Sequence, residues 1–526
     1  MLNLKCIFKL LHSPLFWILV LAGFLRLYQI GSIPPGFFRD EAAKGYNAYC
    51  LLKTGRDIDN NFLPVFTREF TVYNSALPTY IIVPSIFLFR LTEFATRLPF
   101  ALVGILTVLA TYLFVSRIYN QRTGYLAAFL LAISPWHLLF SRWANQGILL
   151  PLFTTFGLYC WIRATERTAL QKKLWLIGSL ILFALSLYTY DIAKVFIPLF
   201  LLGLFIIYRD EIRRDKCYFL IGLCCFLILL IPMVWFSFSA PALSQERFNR
   251  ISIFSLSIPP LDMIKLFIKN YLAHFSPNFL FISGDNNPRH SVFGMGLLYL
   301  FELPFLILGI YLLLKQRTKI NKLLFWWLLI FPVAASLTNE GIPHALRTIC
   351  ALPVFSIISA IGLEKCLQST KFVFSKQLQY RIIRIIFILL ILINIFWFIF
   401  IYFFQYPIYS APTWQYGWKQ AVAYLDSVKS DYSEIIISPS FGYPHIFILF
   451  YNQIPPHRWQ GNQWNIPPYR FDIFDDEIIN NLQYAADSSI LFVLPSVNNL
   501  EIPVRYTINF PSGAWGEPPA ILFLRK

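Results

Sequence analysis

Asp40 and Glu41 stand side by side in Pro34-Pro35-Gly36-Phe37-Phe38-Arg39-Asp40-Glu41-Ala42-Ala43-Lys44-Gly45-Tyr46. A carboxylate so placed can act as a general base on an acceptor hydroxyl, provided that cations elsewhere take up the charge developing on a phosphate leaving group. Candidate cations occur in four segments: Lys44, four residues after Asp40; Arg142 in Ser141-Arg142-Trp143; Arg289 and His290 in Gly284-Asp285-Asn286-Asn287-Pro288-Arg289-His290; and His344 with Arg347 in Pro343-His344-Ala345-Leu346-Arg347. On a helix, three-residue spacing places His344 and Arg347 on one face, where a guanidinium offers phosphate two parallel donors. Each candidate also has a plain structural reading. The acidic pair could cap and solubilise a helix start after the Pro-Pro-Gly turn, and Lys44 could pair with Asp40. Arg142 and Arg289 could anchor loops to lipid headgroups, and His344 could be a satisfied structural histidine.

The elements that must position these groups are apolar. The chain has 526 residues, 57% hydrophobic, 18% aromatic and 13% charged, which is the composition of a polytopic membrane protein. Many runs approach the roughly 20 residues that cross a bilayer, too many for one soluble core. The net charge of +17 suggests nucleic acid, but the basic residues lie between apolar runs and not on one face, so membrane topology explains them and no nucleic-acid partner is expected. The first run, Ser13 to Ile30, has no small-residue cleavage site after it and reads as an uncleaved helix. The eight cysteines are scattered without CxxC spacing, so neither a zinc site nor a disulfide framework is indicated.

Basic residues divide the loops into two kinds. Lys5 and Lys9; Arg117 and Arg122; Arg163, Arg167, Lys172 and Lys173; Arg209, Arg213, Arg214 and Lys216; Lys315, Arg317, Lys319 and Lys322; and Lys365, Lys371, Lys376, Arg381 and Arg384 mark cytoplasmic loops. The segments 141–147, 188–194 and 338–348 each carry a single Lys or Arg and should face outward. A crossing at Leu77 to Phe89 would invert every later loop. That run is short and contains Pro78 and Pro84, so it is expected at the interface or as a re-entrant segment. The expectation is a multi-pass cell-membrane protein of about eleven to thirteen helices, with a cytoplasmic amino terminus and an outer carboxyl tail. Residues 1–409 form the membrane part, in which 31–96 make a first outer loop with interfacial helices, and 410–526 form a small extracytoplasmic α/β domain. In that domain Trp418 to Val428 has a helical pattern, while Glu434 to Ile437, Ile490 to Leu494 and Ala520 to Leu524 read as strands.

Chemistry outside the cytoplasm has no ATP or nucleotide sugar to draw on, so a group transfer there needs an activated donor already in the membrane, such as a sugar on a polyprenyl phosphate. The order of motifs supports that direction. Pro-x-Gly-x-x-x-Asp-Glu-Ala-x-x-Gly-Tyr (Pro34 to Tyr46), then Thr96-Arg97-Leu98-Pro99, then Ser134-Pro135-Trp136-His137 with Ser141-Arg142, then Pro343-His344-Ala345-Leu346-Arg347 resembles the GT-C membrane glycosyltransferases that use polyprenyl-phosphate donors, protein O-mannosyltransferases and aminoarabinose transferases of lipid A among them. The likeness covers roughly residues 13 to 405. It implies that Asp40 is the catalytic carboxylate with Glu41 beside it in the acceptor site, and that Arg142, His344 and Arg347 lie around the donor phosphate. Many relatives carry an acidic residue shortly after the position of Arg142, whereas Asn145-Gln146-Gly147 follows here. A second carboxylate must then come from elsewhere, for instance Glu69 or Asp285; no cofactor is expected, and a divalent metal is not favoured.

These residues give the expectation of transfer of one sugar, hexose or pentose, from a polyprenyl-phosphate donor to a hydroxyl of a lipid, glycan or protein acceptor, with inversion by direct displacement. A transporter or lipid flippase, and a polymerase or ligase of lipid-linked glycans, are the alternatives. Transporters concentrate charge within helices near the midplane, often in paired halves; here the polar signatures cluster in loops and no repeat is evident.

Overall fold

A computed structural model describes residues 11–166, 169–373, 377–460, 466–471, 490–495, 504–511 and 520–524. Lys5, Lys9, Arg167 and Lys376 of the charge pattern lie outside these residues. The described chain is mainly helical and divides into two compact units, one of residues 1–28 and 100–399, the other of residues 29–99 and 400–526. The first outer loop thus belongs to the same unit as the carboxyl-terminal segment, a grouping that the linear division at 409/410 does not express.

In the first unit, apolar helices pack along their lengths. Pro14–Leu27 lies against Gln121–Ile133, Leu149–Thr165 against Ala169–Ser186, and Ala193–Ile207 against Lys319–Ile330. Leu303–Lys315 and Val354–Val373 approach closely enough that a Cβ on Gly309 would stand 2.1 Å from the Ile358 carbonyl, and one on Gly362 2.0 Å from the Phe305 carbonyl; small residues permit such approach where apolar burial cannot drive association. Polar side chains start the helices: the Asn120 side chain accepts from Thr123 N–H and that of Thr318 from Asn321 N–H. Among the described residues, six helices are long and apolar enough to cross a membrane, Glu93–Ile118, Gln146–Thr165, Lys216–Ser239, Lys319–Ser336, Ile349–Ser369 and Ile388–Tyr409. Lys216–Ser239 exposes Trp235 (73%) and Phe238 (81%), the surface a lipid-facing helix presents. Multiple helices of this kind make the chain a multi-pass membrane protein. Leu77–Phe89, at 13 residues, spans about 20 Å of helix, short of the ~30 Å hydrocarbon core.

The second unit holds a five-stranded sheet in the order Tyr469–Phe471, Glu434–Ile437, Ile490–Leu494, Ile521–Leu524, Val504–Ile508. The first three strands are parallel and the last two join antiparallel. Ile521–Leu524 is buried at every position, as an apolar run covered on both faces must be. Trp418–Val428 buries Trp418, Ala421, Val422 and Leu425, the i, i+3, i+4, i+7 face of an amphipathic helix, and Trp418 stacks on Phe447 with centroids 4.9 Å apart. The sequence expectation of a small α/β domain is met in these elements; the hairpin Phe66–Glu69/Val72–Ser75 was not foreseen.

Two motif glycines are explained by packing. Gly36 has φ +73°, and a Cβ there would lie 2.7 Å from the Trp414 carbonyl. A Cβ on Gly45 would meet the Phe450 ring at 2.7 Å, while the adjacent Tyr46 hydroxyl donates to the Ile454 carbonyl at 2.9 Å. Gly36→Ala is expected to destabilise the unit by more than about 1 kcal/mol, because left-handed strain and a backbone clash act together. A lowered melting temperature of the detergent-purified protein checks this; an unchanged one overturns it.

Candidate functional site

The helix Arg39–Thr54 opens on the acidic pair, and the two carboxylates have different surroundings. Glu41 is fully buried. Its carboxylate accepts from Arg97 Nε and Nη2, both at 2.9 Å, and from Phe38 N–H at 3.3 Å. Arg97, also fully buried, donates further to the carbonyls of Ile30 (3.2 Å), Pro34 (3.0 Å) and Gly36 (2.8 Å). All five guanidinium N–H groups are therefore used, and the Pro34–Gly36 turn is tied to the helix start through Glu41. Asp40, one residue earlier, keeps a side chain 41% exposed, with Oδ1 3.7 Å from Arg39 Nε. The two readings of the acidic pair fall on different residues: Glu41 anchors the helix start, and Asp40 faces outward. The expectation of a paired catalytic role is corrected for Glu41, whose carboxylate has no surface to offer an acceptor.

Lys44 turns to Glu69, at 2.9 Å with both side chains buried, and reaches only the backbone carbonyl of Asp40, at 3.4 Å. It is thus a partner of Glu69 and not a solvent-facing phosphate ligand. Burial pushes the Glu69 carboxyl up, Lys44 opposes this, and the Asp40 charge nearby adds to the rise. The hairpin turn brings Glu69, named as one source of a second carboxylate, into the electrostatic neighbourhood of Asp40. Arg39 was missed by the sequence reading. Its backbone N–H donates to Gln415 at 2.9 Å, and its guanidinium lies over the rings of Phe38, Phe70 and Tyr443 at 5.4 to 5.8 Å, a cation–π setting. Charge alone did not distinguish it from other loop arginines. A cavity lined by Ala43, Asn47, Phe70 and His445 shares the helix face of Asp40, since positions 40, 43 and 47 recur at i, i+3 and i+7.

In the other unit, Asp285, His290 and His344 converge. Asp285 Oδ2 lies 3.1 Å from His290 Nδ1 and 3.7 Å from His344 Nδ1, and the two imidazole centroids are 4.6 Å apart. Burial lowers the pKa of both histidines; Asp285 opposes this for His290, while His290 and Arg347 add to it for His344. Both imidazoles are neutral near pH 7 and so are not the phosphate-gripping cations expected. His344 and Arg347 also sit in a turn, not a helix, although Arg347 N–H still reaches His344 Nδ1 at 3.4 Å. The Arg347 guanidinium is held by Thr338 Oγ1 (2.7 Å), the Glu340 carbonyl (2.7 Å) and the Glu340 carboxylate (3.0 Å). Arg289 is half-buried beside this cluster, its N–H donating to Asn287 Oδ1 at 3.0 Å.

Arg142 is fully buried, donating to the carbonyls of Leu25 at 2.6 Å and Tyr28 at 2.7 Å. It closes the carboxyl end of Pro14–Leu27, where carbonyls lack helical partners, instead of facing a ligand. His137 of the same motif contacts Arg26 Nη2 at 2.7 Å on that helix. The Ser134-to-Arg142 pattern is therefore a clamp on the first helix.

Residues 75–236 match a family model described as dolichyl-phosphate-mannose-protein mannosyltransferase. Among solved structures, ArnT from Cupriavidus metallidurans is similar in its apo state, with TM-score 0.58, 10% identity, 97% of this chain and 96% of that chain covered. The undecaprenyl phosphate-bound form of ArnT gives TM-score 0.56 at 11% identity, with 97% of each chain covered. The archaeal oligosaccharyltransferase AglB from Archaeoglobus fulgidus, in complex with an inhibitory peptide and a dolichol-phosphate, gives TM-score 0.53 at 13% identity over 85% of this chain; the chain spans 64% of the AglB length. No curated protein matches in sequence. The fold is GT-C-like, an α-helical polytopic membrane protein with a carboxyl-terminal α/β unit, and the chain resembles the polyprenyl-phosphate-dependent transferases of that class.

Proposed function

We propose that this chain is an integral membrane glycosyltransferase that moves one sugar from a polyprenyl-phosphate donor to an acceptor hydroxyl on the extracytoplasmic face, with Asp40 as general base. The observation that carries this reading is the separation of roles at the helix start: Glu41 is consumed by Arg97, while Asp40 stays exposed in the first turn of the helix. A carboxylate that accepts the acceptor proton as the hydroxyl attacks the anomeric carbon favours direct displacement, and hence inversion. The bound lipid phosphates of ArnT and AglB support a polyprenyl phosphate as the leaving group. Glu69, held by Lys44, shapes the charge around Asp40. In this reading the amino terminus is cytoplasmic and the carboxyl-terminal domain outside.

Purified full-length protein incubated with a synthetic polyprenyl-phosphate sugar and envelope extract is expected to release polyprenyl phosphate. Release of polyprenyl diphosphate from a diphosphate-linked glycan instead would identify a polymerase or ligase, and release of neither would favour transport. Mass spectrometry of envelope lipids, glycans and proteins with and without the gene then names the acceptor, through a hexose-sized or pentose-sized loss in one class.

A further inference from the structure

We propose that Asp285, His290 and His344 bind one divalent transition-metal ion of the zinc type. One ligand atom from each residue lies within 4.8 Å of the others, and the three residues are 6 to 9% exposed. Tetrahedral zinc with bonds of about 2.0–2.1 Å holds neighbouring ligand atoms about 3.3 Å apart, so the set closes around an ion by small side-chain rotations. Two imidazoles with one carboxylate select zinc-like ions over magnesium or calcium, which prefer all-oxygen shells.

The surrounding bonds orient the ligands as outer-shell partners do in metal sites. Asn287 N–H donates to Asp285 Oδ1 at 2.8 Å, and Ala345 N–H to Oδ2 at 2.8 Å. The Ser291 hydroxyl donates to the Asp285 carbonyl at 2.5 Å. His344 N–H donates to His274 Nε2 at 3.2 Å, while His274 Nδ1 faces the Asn270 carbonyl at 2.7 Å, so His274 carries its proton on Nδ1 and is kept off the metal. Two loops, 285–291 and 343–347, are thereby prepared to share one ion, with a fourth position left for water or an anion.

The test uses the full chain in detergent, stripped with chelator and then titrated with Zn²⁺ or Co²⁺ alone. Wild type is expected to take up one equivalent, to show tetrahedral Co²⁺ visible absorption saturating at one equivalent, and to gain thermal stability with Zn²⁺. Asp285→Asn and His290→Gln should weaken binding about 100-fold or more, and His274→Ala about tenfold, as an outer-shell loss does. Should the ligand variants fail to fold, the wild-type Co²⁺ titration decides alone. Absence of a saturable band, a thiolate charge-transfer band that places the ion on cysteine, or uptake by Asp285→Asn equal to wild type would each overturn the proposal.

Discussion

Asp40→Asn is expected to lower the proposed sugar transfer by about 10²–10⁴-fold, the range a positioned general base contributes, while the protein keeps its melting temperature. The side chain is 41% exposed, and its described contact is a 3.7 Å approach to Arg39, an exposed pair worth little to stability. Asparagine has nearly the same shape and removes only the capacity to take a proton. Asp40→Glu retains the carboxylate but displaces it by one methylene, and a misplacement of roughly 1 Å costs on the order of 10²-fold. The measurement is polyprenyl phosphate released per unit time by purified variants, with thermal unfolding of the same samples. Full turnover by Asp40→Asn would remove the base assignment, whereas loss of activity together with loss of fold would show Asp40 to be structural.

Glu41→Gln and Arg97→Met behave in the opposite way. Removing one partner of a buried ion pair leaves an uncompensated charge and costs about 3–5 kcal/mol. Arg97→Met should be the worse of the two, because it also strands the carbonyls of Ile30, Pro34 and Gly36, at about 1–3 kcal/mol for each group left unsatisfied. The double variant should cost less than the sum of the singles, since the residues share one network and their effects couple. Unfolding curves for wild type, both singles and the double give the coupling directly. A Glu41→Gln protein as stable as wild type would show that this carboxylate does not hold the turn. Comparing the two experiments separates base from anchor: the Asp40 variant loses rate and keeps stability, and the Glu41 variant loses stability first.

Part of the local structure around Asp40 was legible in the sequence. The pairing of Asp40 with Glu41 after Pro34-Pro35-Gly36 marked a turn followed by a helix start, because Pro, Gly and acidic residues report local backbone geometry and helix starts. The strands at Glu434–Ile437 and Ile490–Leu494 announced themselves as short apolar runs, whose burial requires no knowledge of what covers them. Cations were harder to place. Arg142, Lys44 and Arg347 look alike in a sequence, as charges in polar loops, yet one closes a helix end, one neutralises Glu69 and one ties its own loop. The partner that decides each role lies 9 to 117 residues away, and long-range pairing leaves no local trace. His290 and His344 were read as cations for the same reason. Only the burial supplied by neighbouring elements lowers their pKa values and takes away the charge that a phosphate would need.

The amino-acid order by itself determined a multi-pass apolar chain, a small carboxyl-terminal α/β unit and the turn that carries Asp40, since hydropathy, periodicity and turn chemistry act over a few residues at a time. The tertiary structure alone decided which of two adjacent acids is spent and which stays exposed. That choice belongs to Arg97, 56 residues beyond Glu41: one guanidinium has five donors, and once the carbonyls and Glu41 have taken them none is left for Asp40.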